Sequence, residues 1–368
     1  MSTATTPSSE TFQIHLSDAP ASVADREAAL ASPQFGVVFT DHMARVSWAH
    51  GSGWTDRRVE KYGPLHLDPA TAVLHYGQEI FEGLKAYAHA DGSVWTFRPD
   101  ANAARFARSA RRLALPELPE ADFLGAIRAL VEVDRAWVPT GEETSLYLRP
   151  FMYASEAFLG VRPSLEAEFL VIASPVGPYF PGGVRPVSIW VSQEYHRAGA
   201  GGTGAAKCGG NYAGSLLPQQ EAYAKGFEQV CFLDDRTGTQ LEELGGMNVV
   251  VVHADGSVVT PPVSGTILEG VTRSSLLTLL VEAGHEVSER PVLLADLRAG
   301  LADGSVTEVF ACGTAAVITP IGRLASDDFD LVVGDGSAGP VTSRIRAQLT
   351  DIQYGRASDP HGWMRRLV

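Results

Sequence analysis

The sequence predicts an α+β fold with mixed sheets and flanking helices. Segments with alternating apolar residues and segments with helical spacing follow one another irregularly along the 368 residues. They lack the regular strand–helix–strand repeat of a parallel sheet. A composition of 45% hydrophobic and 20% charged residues allows a sizeable core, and the chain length favours two domains.

The first half is expected to combine short strands with helices. A polar tail precedes a short helix near residues 23–31. The pair Asp91-Gly92 predicts a hairpin turn. In residues 101–115, apolar side chains recur at helical spacing with arginines between them, most of which form a solvated face. Arg105 lies three residues before Arg108, so the two could share a face and one of them could point inward. The other elements predicted here are strands at 94–97, 145–153 and 169–174 and a helix at 121–137.

The domain boundary is placed at a stretch rich in proline and glycine. Residues 175–186 contain four prolines and three glycines, a composition typical of a linker. We therefore predict a smaller N-terminal α/β domain at 1–175, an interdomain loop at 176–187 and a larger C-terminal domain at 188–368.

The second half is expected to hold most of the buried strands. Strands are predicted at 187–191, 229–234, 241–243 and 247–253, and helices at 213–225 and from the segment after residue 270 through 283. Residues 308–317 predict a strand that meets a turn of small residues.

Composition excludes several functional classes. The net charge of −14 argues against nonspecific nucleic-acid binding. Three cysteines make neither a disulfide framework nor a zinc site, so no metal site is predicted and Cys208 is interpreted as a packing residue. Residues 1–10 lack the basic start and apolar core of a secretory signal, and no apolar run approaches the ~20 residues of a membrane span. A cytoplasmic protein without a membrane anchor is expected.

One lysine lies in an unusual bed of small residues. Residues 201–212 read Gly-Gly-Thr-Gly-Ala-Ala-Lys-Cys-Gly-Gly-Asn-Tyr; we call them the lysine loop. A P-loop would need glycine before Lys207 and Ser or Thr after it, and the dinucleotide fingerprint would need a third glycine where Lys207 stands. Both motifs are therefore absent. Loss of water around Lys207 favours a neutral amine, the nucleophile that forms a Schiff base with pyridoxal phosphate (PLP); a solvated surface lysine is the alternative.

Use of PLP would need two further groups near the ring. A carboxylate must face the pyridine nitrogen, and either Glu242 or Glu243 could serve. A donor to the phenolate oxygen is also needed, and Tyr212 is suitably placed.

The phosphate of PLP would need an anion site. Residues 270–272 (Gly-Val-Thr) directly precede an apolar helical segment and offer amides and a hydroxyl, the groups that bind phosphate at a helix N-terminus. Thr272 would serve equally as an ordinary N-cap, and the two roles are compatible. Arg105 could add positive charge.

The order of motifs resembles the branched-chain amino acid aminotransferases, PLP-dependent enzymes of fold type IV with the two-domain fold of D-amino acid aminotransferase. The likeness extends over nearly the whole chain. It rests on seven stretches, which include Gln-Glu-Ile-Phe-Glu-Gly-Leu-Lys at 78–85 and Gly-Val-Thr-Arg at 270–273: residues 39–43, 74–85, 145–150, 174–180, 201–215, 270–273 and 350–356.

The resemblance implies a set of cofactor contacts. Lys207 would carry PLP and later move the substrate proton. Tyr212 would hydrogen-bond the phenolate oxygen, and Glu243 would face the pyridine nitrogen with Glu242 a bystander. The residues implied at the phosphate are Arg105, Val271, Thr272 and Thr314.

The resemblance also implies a substrate pocket. Thr314 and Ala315 would present amides to the substrate carboxylate. Arg149 would help bind the second carboxylate of glutamate or 2-oxoglutarate, and Leu159 and Val161 would reach in from the partner subunit of a homodimer. The residues implied to form the side-chain pocket are Phe35, Tyr76, Phe81, Tyr147, Tyr179 and Gly246.

The activity implied is transamination of L-leucine, L-isoleucine and L-valine with 2-oxoglutarate, giving branched-chain 2-oxo acids and L-glutamate, in biosynthesis. A D-amino acid aminotransferase or an aminodeoxychorismate lyase would keep the lysine and glutamate, but both usually have shorter chains. A noncatalytic dimeric scaffold is opposed by the intact set of Lys207, Tyr212, Glu243 and Thr272.

Two positions depart from the family pattern. Animal members carry a Cys-x-x-Cys pair after the Gly-Thr-Ala turn, where this chain has Ala316 and Thr319, so redox regulation through that pair is not expected. Relatives often have threonine where this chain has Gly246, which leaves local hydrogen bonding open but not the chemistry.

Overall fold

The computed structural model describes residues 11–178 and 183–368. The chain forms two compact units. The first contains Met1–Gly177 together with His361–Val368, and the second contains Pro178–Pro360. The predicted domain boundaries at 175 and 188 stay a prediction.

The secondary structure mixes strands and helices throughout. The strands are β1 (Gln13–Ile14), β2 (His42–Ala49), β3 (Gly53–Lys61), β4 (Glu79–Phe81), β5 (Leu84–Ala88), β6 (Val94–Phe97), β7 (Ser145–Ala154), β8 (Glu166–Val176), β9 (Val187–Ser192), β10 (Gln229–Leu233), β11 (Leu241–Leu244), β12 (Asn248–His253), β13 (Val258–Thr260), β14 (Val287–Glu289), β15 (Val306–Gly313), β16 (Val317–Ser326), β17 (Phe329–Val332) and β18 (Met364–Arg366). The helices are α1 (Val23–Ala31), α2 (Ala72–Tyr76), α3 (Pro99–Arg112), α4 (Glu120–Val133), α5 (Gly209–Ala213), α6 (Leu216–Ala224), α7 (Val271–Glu282), α8 (Leu294–Asp303) and α9 (Pro340–Gln353), with a 3-10 turn at Arg135–Trp137.

The first unit is built on a sheet with the strand order β1-β3-β2-β8-β7-β5-β6-β18, and β4 pairs with β7. Among the described residues β1 and β3 run parallel and the other neighbours antiparallel. Helices α3 and α4 contribute Phe106 and Phe123 to the core, where both rings pack against Phe169 of β8 with centroids 5.4 and 6.0 Å away. All three side chains are fully buried, so the helices are anchored on one face of this sheet.

The second unit is built on a mixed sheet with the order β11-β10-β9-β16-β15-β12-β13-β14, and β17 pairs with β16. Strand β9 runs parallel to both β10 and β16, whereas β12, β15 and β16 form an antiparallel run. The core of this sheet is aliphatic and includes Ile189, Val249 and Ile321. The register pairs Glu243 with Asn248 and Gly313 with Val317, which places β11 and the β15–β16 turn beside β12.

The elements follow the sequence pattern, with differences at breaks in helices. The predicted helix at 121–137 ends at Val133 and continues as a 3-10 turn. The predicted helix at 213–225 corresponds to the shorter α6, with Pro218 in its first turn, where proline is tolerated. Ala213 instead ends α5, a short helix at the end of the lysine loop that the sequence did not predict. None of the helices in the described part of the chain is long and apolar enough to span a bilayer.

The N-terminus of α9 is held by a buried carboxylate. Glu308 on β15 accepts hydrogen bonds from the amides of Val341 and Thr342 at 2.9 and 2.8 Å and from the Thr342 hydroxyl at 2.7 Å. A Cβ at Gly339 would lie 2.0 Å from the Glu308 carboxyl carbon, so only glycine admits this contact. A negative charge at a helix N-terminus also interacts favourably with the helix dipole.

We predict that Glu308→Ala lowers the free energy of unfolding by about 2–3 kcal/mol, because three hydrogen bonds to a charged group are lost in a buried place. Urea denaturation measures the change. Glu286→Ala, at an exposed carboxylate of the same unit, is the control and should change stability by less than about 0.5 kcal/mol. An equal effect of the two substitutions would show that the cap contributes nothing.

Candidate active site

The lysine loop is folded around one buried amide side chain. Asn211 donates hydrogen bonds to the carbonyl oxygens of Thr203 and Ala206 at 2.8 and 2.9 Å and accepts one from the Thr203 hydroxyl at 2.7 Å. Lys207 lies between these anchors, and its Nζ donates to the Tyr212 hydroxyl at 2.7 Å. The amine is therefore held beside a phenol from its own loop.

The glycines of this loop are required by close backbone contact. A Cβ at Gly204 would lie 2.2 Å from the carbonyl oxygen of Thr266, far inside van der Waals distance. The loop therefore packs directly on the segment that leads into α7. Cys208, which precedes α5, is 2% exposed, as the packing interpretation expects.

Glu243 of β11 lies near the lysine loop, and one of its two carboxylate oxygens is more tightly bound than the other among the described residues. Its Oε1 receives the guanidinium of Arg197 at 2.8 Å and the amide of Leu268 at 2.7 Å. Its Oε2 receives only a long contact of 3.4 Å from the side-chain amide of Asn248. Both members of the ion pair are almost fully buried, with side-chain exposures of 1% and 2%.

Burial raises the pKa of Glu243 to about 7. The positive charge of Arg197, the Leu268 amide and the charge of Lys207 act in the opposite direction. Burial likewise raises the pKa of Glu242, the neighbouring carboxylate on β11. Perturbed carboxylates of this kind are common in functional sites.

The N-terminus of α7 is open to an anion. Gly270 occupies the cap position and no side chain caps the helix, so its first amides lack partners within the helix. Val271 and Thr272 begin the helix and are 9% and 6% exposed. A Cβ at Gly270 would lie 2.1 Å from the Asn248 side-chain oxygen, which explains the glycine. This geometry suits a phosphate group.

The β15–β16 turn carries Thr314 and Ala315, both half-buried. Val317, which follows, has φ +61°, a left-handed conformation that β-branched residues rarely adopt. Backbone outliers of this kind concentrate at ligand-binding turns. Gly246 lies next to Tyr212, because an added Cβ would be 3.6 Å from its ring, an ordinary van der Waals contact.

In the first unit, the structure brings together four of the predicted pocket residues. The Arg149 guanidinium lies 4.7 Å from the Phe81 ring and 5.3 Å from the Tyr147 ring, and it donates to the Tyr147 hydroxyl at 3.0 Å. Phe35 packs edge-on against Tyr147 at 4.9 Å. Arg149 Nε is buried without a hydrogen-bond partner among the described residues. A Cβ at Gly83 would lie 2.3 Å from the Tyr147 hydroxyl, so this glycine makes room for the tyrosine.

Arg105 points inward, as its helical position allows, and is 4% exposed. Its guanidinium binds both carboxylate oxygens of Glu82 at 2.7 and 2.8 Å. Asn102 also donates to Glu82 at 2.7 Å. The structure thus fixes Arg105 through a fully buried carboxylate, and its role at a phosphate stays a prediction.

Three further predicted residues lie near the surface of the first unit. The Tyr76 hydroxyl donates to the carbonyl oxygen of Leu159. Leu159 and Val161 are 66% and 90% exposed. Tyr179 lies outside the described residues, so its predicted role in the pocket is not tested.

Several residues that shape the site were missed from the sequence. Glu82, Arg197 and Asn248 hold the predicted groups, and Asn211 folds the lysine loop. Arg197 is separated from Glu243 by 46 positions of sequence numbering, and no local pattern links them. Of these four residues, Asn211 could have been suspected from the sequence, because it lies within the lysine loop itself.

The cysteines offer no redox pair. Cys231 and Cys312 are fully buried, and burial raises the pKa of each thiol to about 12. No group of three or more His, Cys, Asp and Glu residues is placed to hold a metal ion in the described part of the chain.

Comparison with known proteins identifies close relatives. The sequence profile of the family described as Amino-transferase class IV matches residues 79–324. The chain is 55% identical to the probable branched-chain-amino-acid aminotransferase of Streptomyces coelicolor, covering 99% of this chain and 100% of that protein. It is 54% identical to the branched-chain-amino-acid aminotransferase of Mycobacterium tuberculosis, covering 95% and 96%.

A solved structure shows the same fold. The T.th. branched-chain amino acid aminotransferase complexed with N-(5'-phosphopyridoxyl)-L-glutamate superposes with a TM-score of 0.71 at 28% identity, covering 88% of this chain and 99% of that one. The fold class predicted from the sequence is therefore confirmed.

We predict a pH signature for Glu243 in protein freed of bound small molecules. Because the pKa in the folded state, about 7, lies above the ordinary value of 4.5, the folded protein binds the proton more tightly between these values. Its stability therefore falls as pH rises through this window. Glu243→Gln cannot titrate, so its stability relative to the wild type should rise from pH 4.5 to pH 7 and then level off.

The unpaired charge of Arg197 adds a cost to this variant that does not depend on pH, so the slope is the informative quantity. Urea denaturation across the pH range measures it, with Glu286→Gln as the flat control. A difference between Glu243→Gln and wild type that stays constant with pH would contradict the assignment.

Proposed function

This chain belongs to the branched-chain amino acid aminotransferases of the class IV family, and from that premise we propose that it transfers the amino group of L-leucine, L-isoleucine and L-valine to 2-oxoglutarate. The observation that carries the proposal is the contact of 2.7 Å between Lys207 Nζ and the Tyr212 hydroxyl, beside the buried carboxylate of Glu243. An amine, a phenol and a carboxylate in one region are the groups that PLP-dependent proton transfer needs.

We propose PLP as the cofactor, because the residues present fit it. Lys207 supplies the amine for its aldehyde, and the uncapped N-terminus of α7 supplies amides for its phosphate. The T.th. relative is described as a complex with a phosphopyridoxyl compound. When bound, PLP acts as an electron sink that makes the α-proton of the substrate acidic.

The residues then have separate roles. Lys207 would take the α-proton from the substrate and return it later in the same half-reaction. Tyr212 would orient the Lys207 amine. Val271 and Thr272 would bind the phosphate together with Thr314, and Arg105 is proposed to add charge to them. Thr314 and Ala315 would also present amides to the substrate carboxylate.

Glu243 is preferred over Glu242 as the partner of the pyridine nitrogen. Oε1 of Glu243 is fixed by Arg197 and Leu268, which leaves Oε2 with one long contact. The nearby charge of Arg197 favours the ionised carboxylate against burial, and an ionised partner keeps the pyridine nitrogen protonated. The charge of Lys207 also acts on the pKa of Glu243, whereas Glu242 lines a separate cavity together with Asp234 and Asp235.

The substrate pocket must accept both an aliphatic side chain and a carboxylate. The faces of Phe81 and Tyr147 supply apolar contact, as does Phe35, while Arg149 supplies positive charge with an unpaired Nε. A pocket with mostly aromatic lining and few polar groups is typical of a site for small apolar ligands. We therefore propose that Arg149 binds the side-chain carboxylate of glutamate and 2-oxoglutarate, and that Tyr76, Tyr179 and Gly246 complete the pocket.

We further propose a homodimer. Leu159 and Val161 are apolar and largely exposed, although one of them is anchored by Tyr76. Their exposure supports the proposal that they contact the substrate pocket of a partner subunit. A biosynthetic role and a cytoplasmic location stay predictions.

We predict that Lys207→Ala abolishes both turnover and the visible absorption band of the PLP-bound enzyme. Loss of a positioned acid–base group alone typically lowers the rate by about 10²–10⁴-fold, and loss of the covalent anchor adds to this. The assay is leucine with 2-oxoglutarate. Lys225→Ala, which removes a surface amine paired with Asp327, is the control. Wild-type turnover in Lys207→Ala would refute the proposed function.

We predict that Arg149→Gln separates the two substrates. It removes the charge proposed for the second carboxylate, so the KM for 2-oxoglutarate should rise by about 10- to 100-fold, the value of a charged hydrogen bond. The KM for leucine should change far less. Arg111→Gln, at an exposed arginine of the same unit, is the control. Equal changes for both substrates would exclude selective carboxylate binding.

A further inference from the structure

A cavity of about 260 Å³ in the second unit is lined by none of the residues proposed for cofactor or substrate. Leu241, Ile267 and three prolines supply apolar walls. Glu242 and Arg236 supply charges of opposite sign. The volume is several times the roughly 30 Å³ that one water occupies in the liquid, so the cavity has room for a small organic ligand.

Glu242 is the buried charged residue that lines this cavity. The residue is 5% exposed. Its Oε1 accepts a hydrogen bond from the Thr266 hydroxyl, whereas its Oε2 is buried and has no hydrogen-bond partner among the described residues. A buried carboxylate oxygen without a donor costs considerable free energy, and such a group in a native structure calls for a partner.

The other carboxylates of the cavity are engaged by backbone amides. Asp234 accepts hydrogen bonds from the amides of Thr237, Thr239 and Gln240 within its own turn. Asp235 accepts one from the amide of Ala200 at 3.1 Å. Among the described residues, Glu242 Oε2 is therefore the buried carboxylate oxygen of the cavity that lacks a donor, and a ligand bound to it must bring N–H donors and preferably positive charge.

The positive charge of Arg236 further restricts the class of ligand that the cavity can bind. Arg236 is solvent-exposed and follows the two aspartates in the chain, so its guanidinium is available to an anion at the cavity. No cluster of ligating side chains in the described residues is placed to hold a metal ion. The lining thus combines a buried acceptor, an exposed cation and apolar walls.

We propose that this cavity binds a small aliphatic amino acid as a zwitterion, with its ammonium group on Glu242 Oε2 and its carboxylate on Arg236. The apolar walls then contact the aliphatic part. The ammonium provides the donor that Glu242 lacks, and opposite charges at the two ends fix the orientation of the ligand.

Two residues, Thr266 and Arg197, connect Glu242 of this cavity to Glu243 by hydrogen bonds. The Thr266 hydroxyl binds Glu242, and its carbonyl oxygen accepts from Arg197 at 3.0 Å. Arg197 in turn pairs with Glu243. A ligand on Glu242 would therefore lie close to the network that holds Glu243.

The test uses L-proline as the probe with the PLP-bound enzyme. Proline is a zwitterion of suitable size, and its secondary amine cannot donate a primary amino group in transamination. Isothermal titration calorimetry should show one site per protomer. Glu242→Gln and Arg236→Gln should each weaken binding by about 10- to 100-fold, the loss expected for one charged hydrogen bond. N-acetyl-L-proline, which lacks the ammonium group, should not bind.

Glu286→Gln is the matched control and should bind proline as wild type does. Arg236 is exposed, so its variant stays informative even if Glu242→Gln perturbs folding. Absence of proline binding overturns the proposal, as does equal binding by wild type and both variants. A crystal structure soaked with proline that shows only water at Glu242 overturns it too. Because calorimetry does not depend on turnover, these outcomes are separate from the fate of the proposed activity.

Discussion

The buried ion pair between Arg197 and Glu243 is the interaction on which the arrangement of the second unit's site depends. One guanidinium lies 2.8 Å from Glu243 and 3.0 Å from the Thr266 carbonyl oxygen, and it reaches toward Gly204 of the lysine loop. It therefore ties three separate segments together. Desolvating two charges is costly, and further hydrogen bonds offset part of that cost. The Leu268 amide donates to Glu243 and two backbone carbonyls accept from Arg197 Nη1, while Arg197 Nε is buried without a partner among the described residues.

The first unit also contains a buried arginine–glutamate pair, but there the glutamate holds the arginine in place. Arg105 occupies both oxygens of Glu82, and Asn102 adds a third hydrogen bond, so this carboxylate serves to fix its arginine. In the Arg197 pair the arginine fixes the carboxylate instead, and one oxygen of Glu243 keeps only a long contact. The same chemistry thus positions a cation in one unit and an anion in the other.

Periodic sequence patterns predicted many of the helices and strands, but they could not predict which residues pair with the buried charged side chains. Helical spacing located α3 and indicated that one of Arg105 and Arg108 points inward, and the small residues around Lys207 identified the loop. The short helix α5 was missed because its residues Gly209 and Gly210 favour a loop over a helix. The partners Glu82 and Arg197 were missed since each contact joins residues far apart in sequence. The choice between Glu242 and Glu243 rested on resemblance to a family, because either one precedes the same glycine pair.

The structure supplies a physical reason for that choice. Adjacent residues of a strand point to opposite faces of a sheet, so β11 directs Glu242 and Glu243 to different surroundings. Glu243 meets a guanidinium and an amide, which favour its ionised form. Burial and the negative charge of two aspartates raise the pKa of Glu242, and the hydrogen bond from the Thr266 hydroxyl acts in the opposite direction. Two neighbouring carboxylates thereby acquire different roles through the alternation of a single strand, and Thr266 and Arg197 keep the two environments linked.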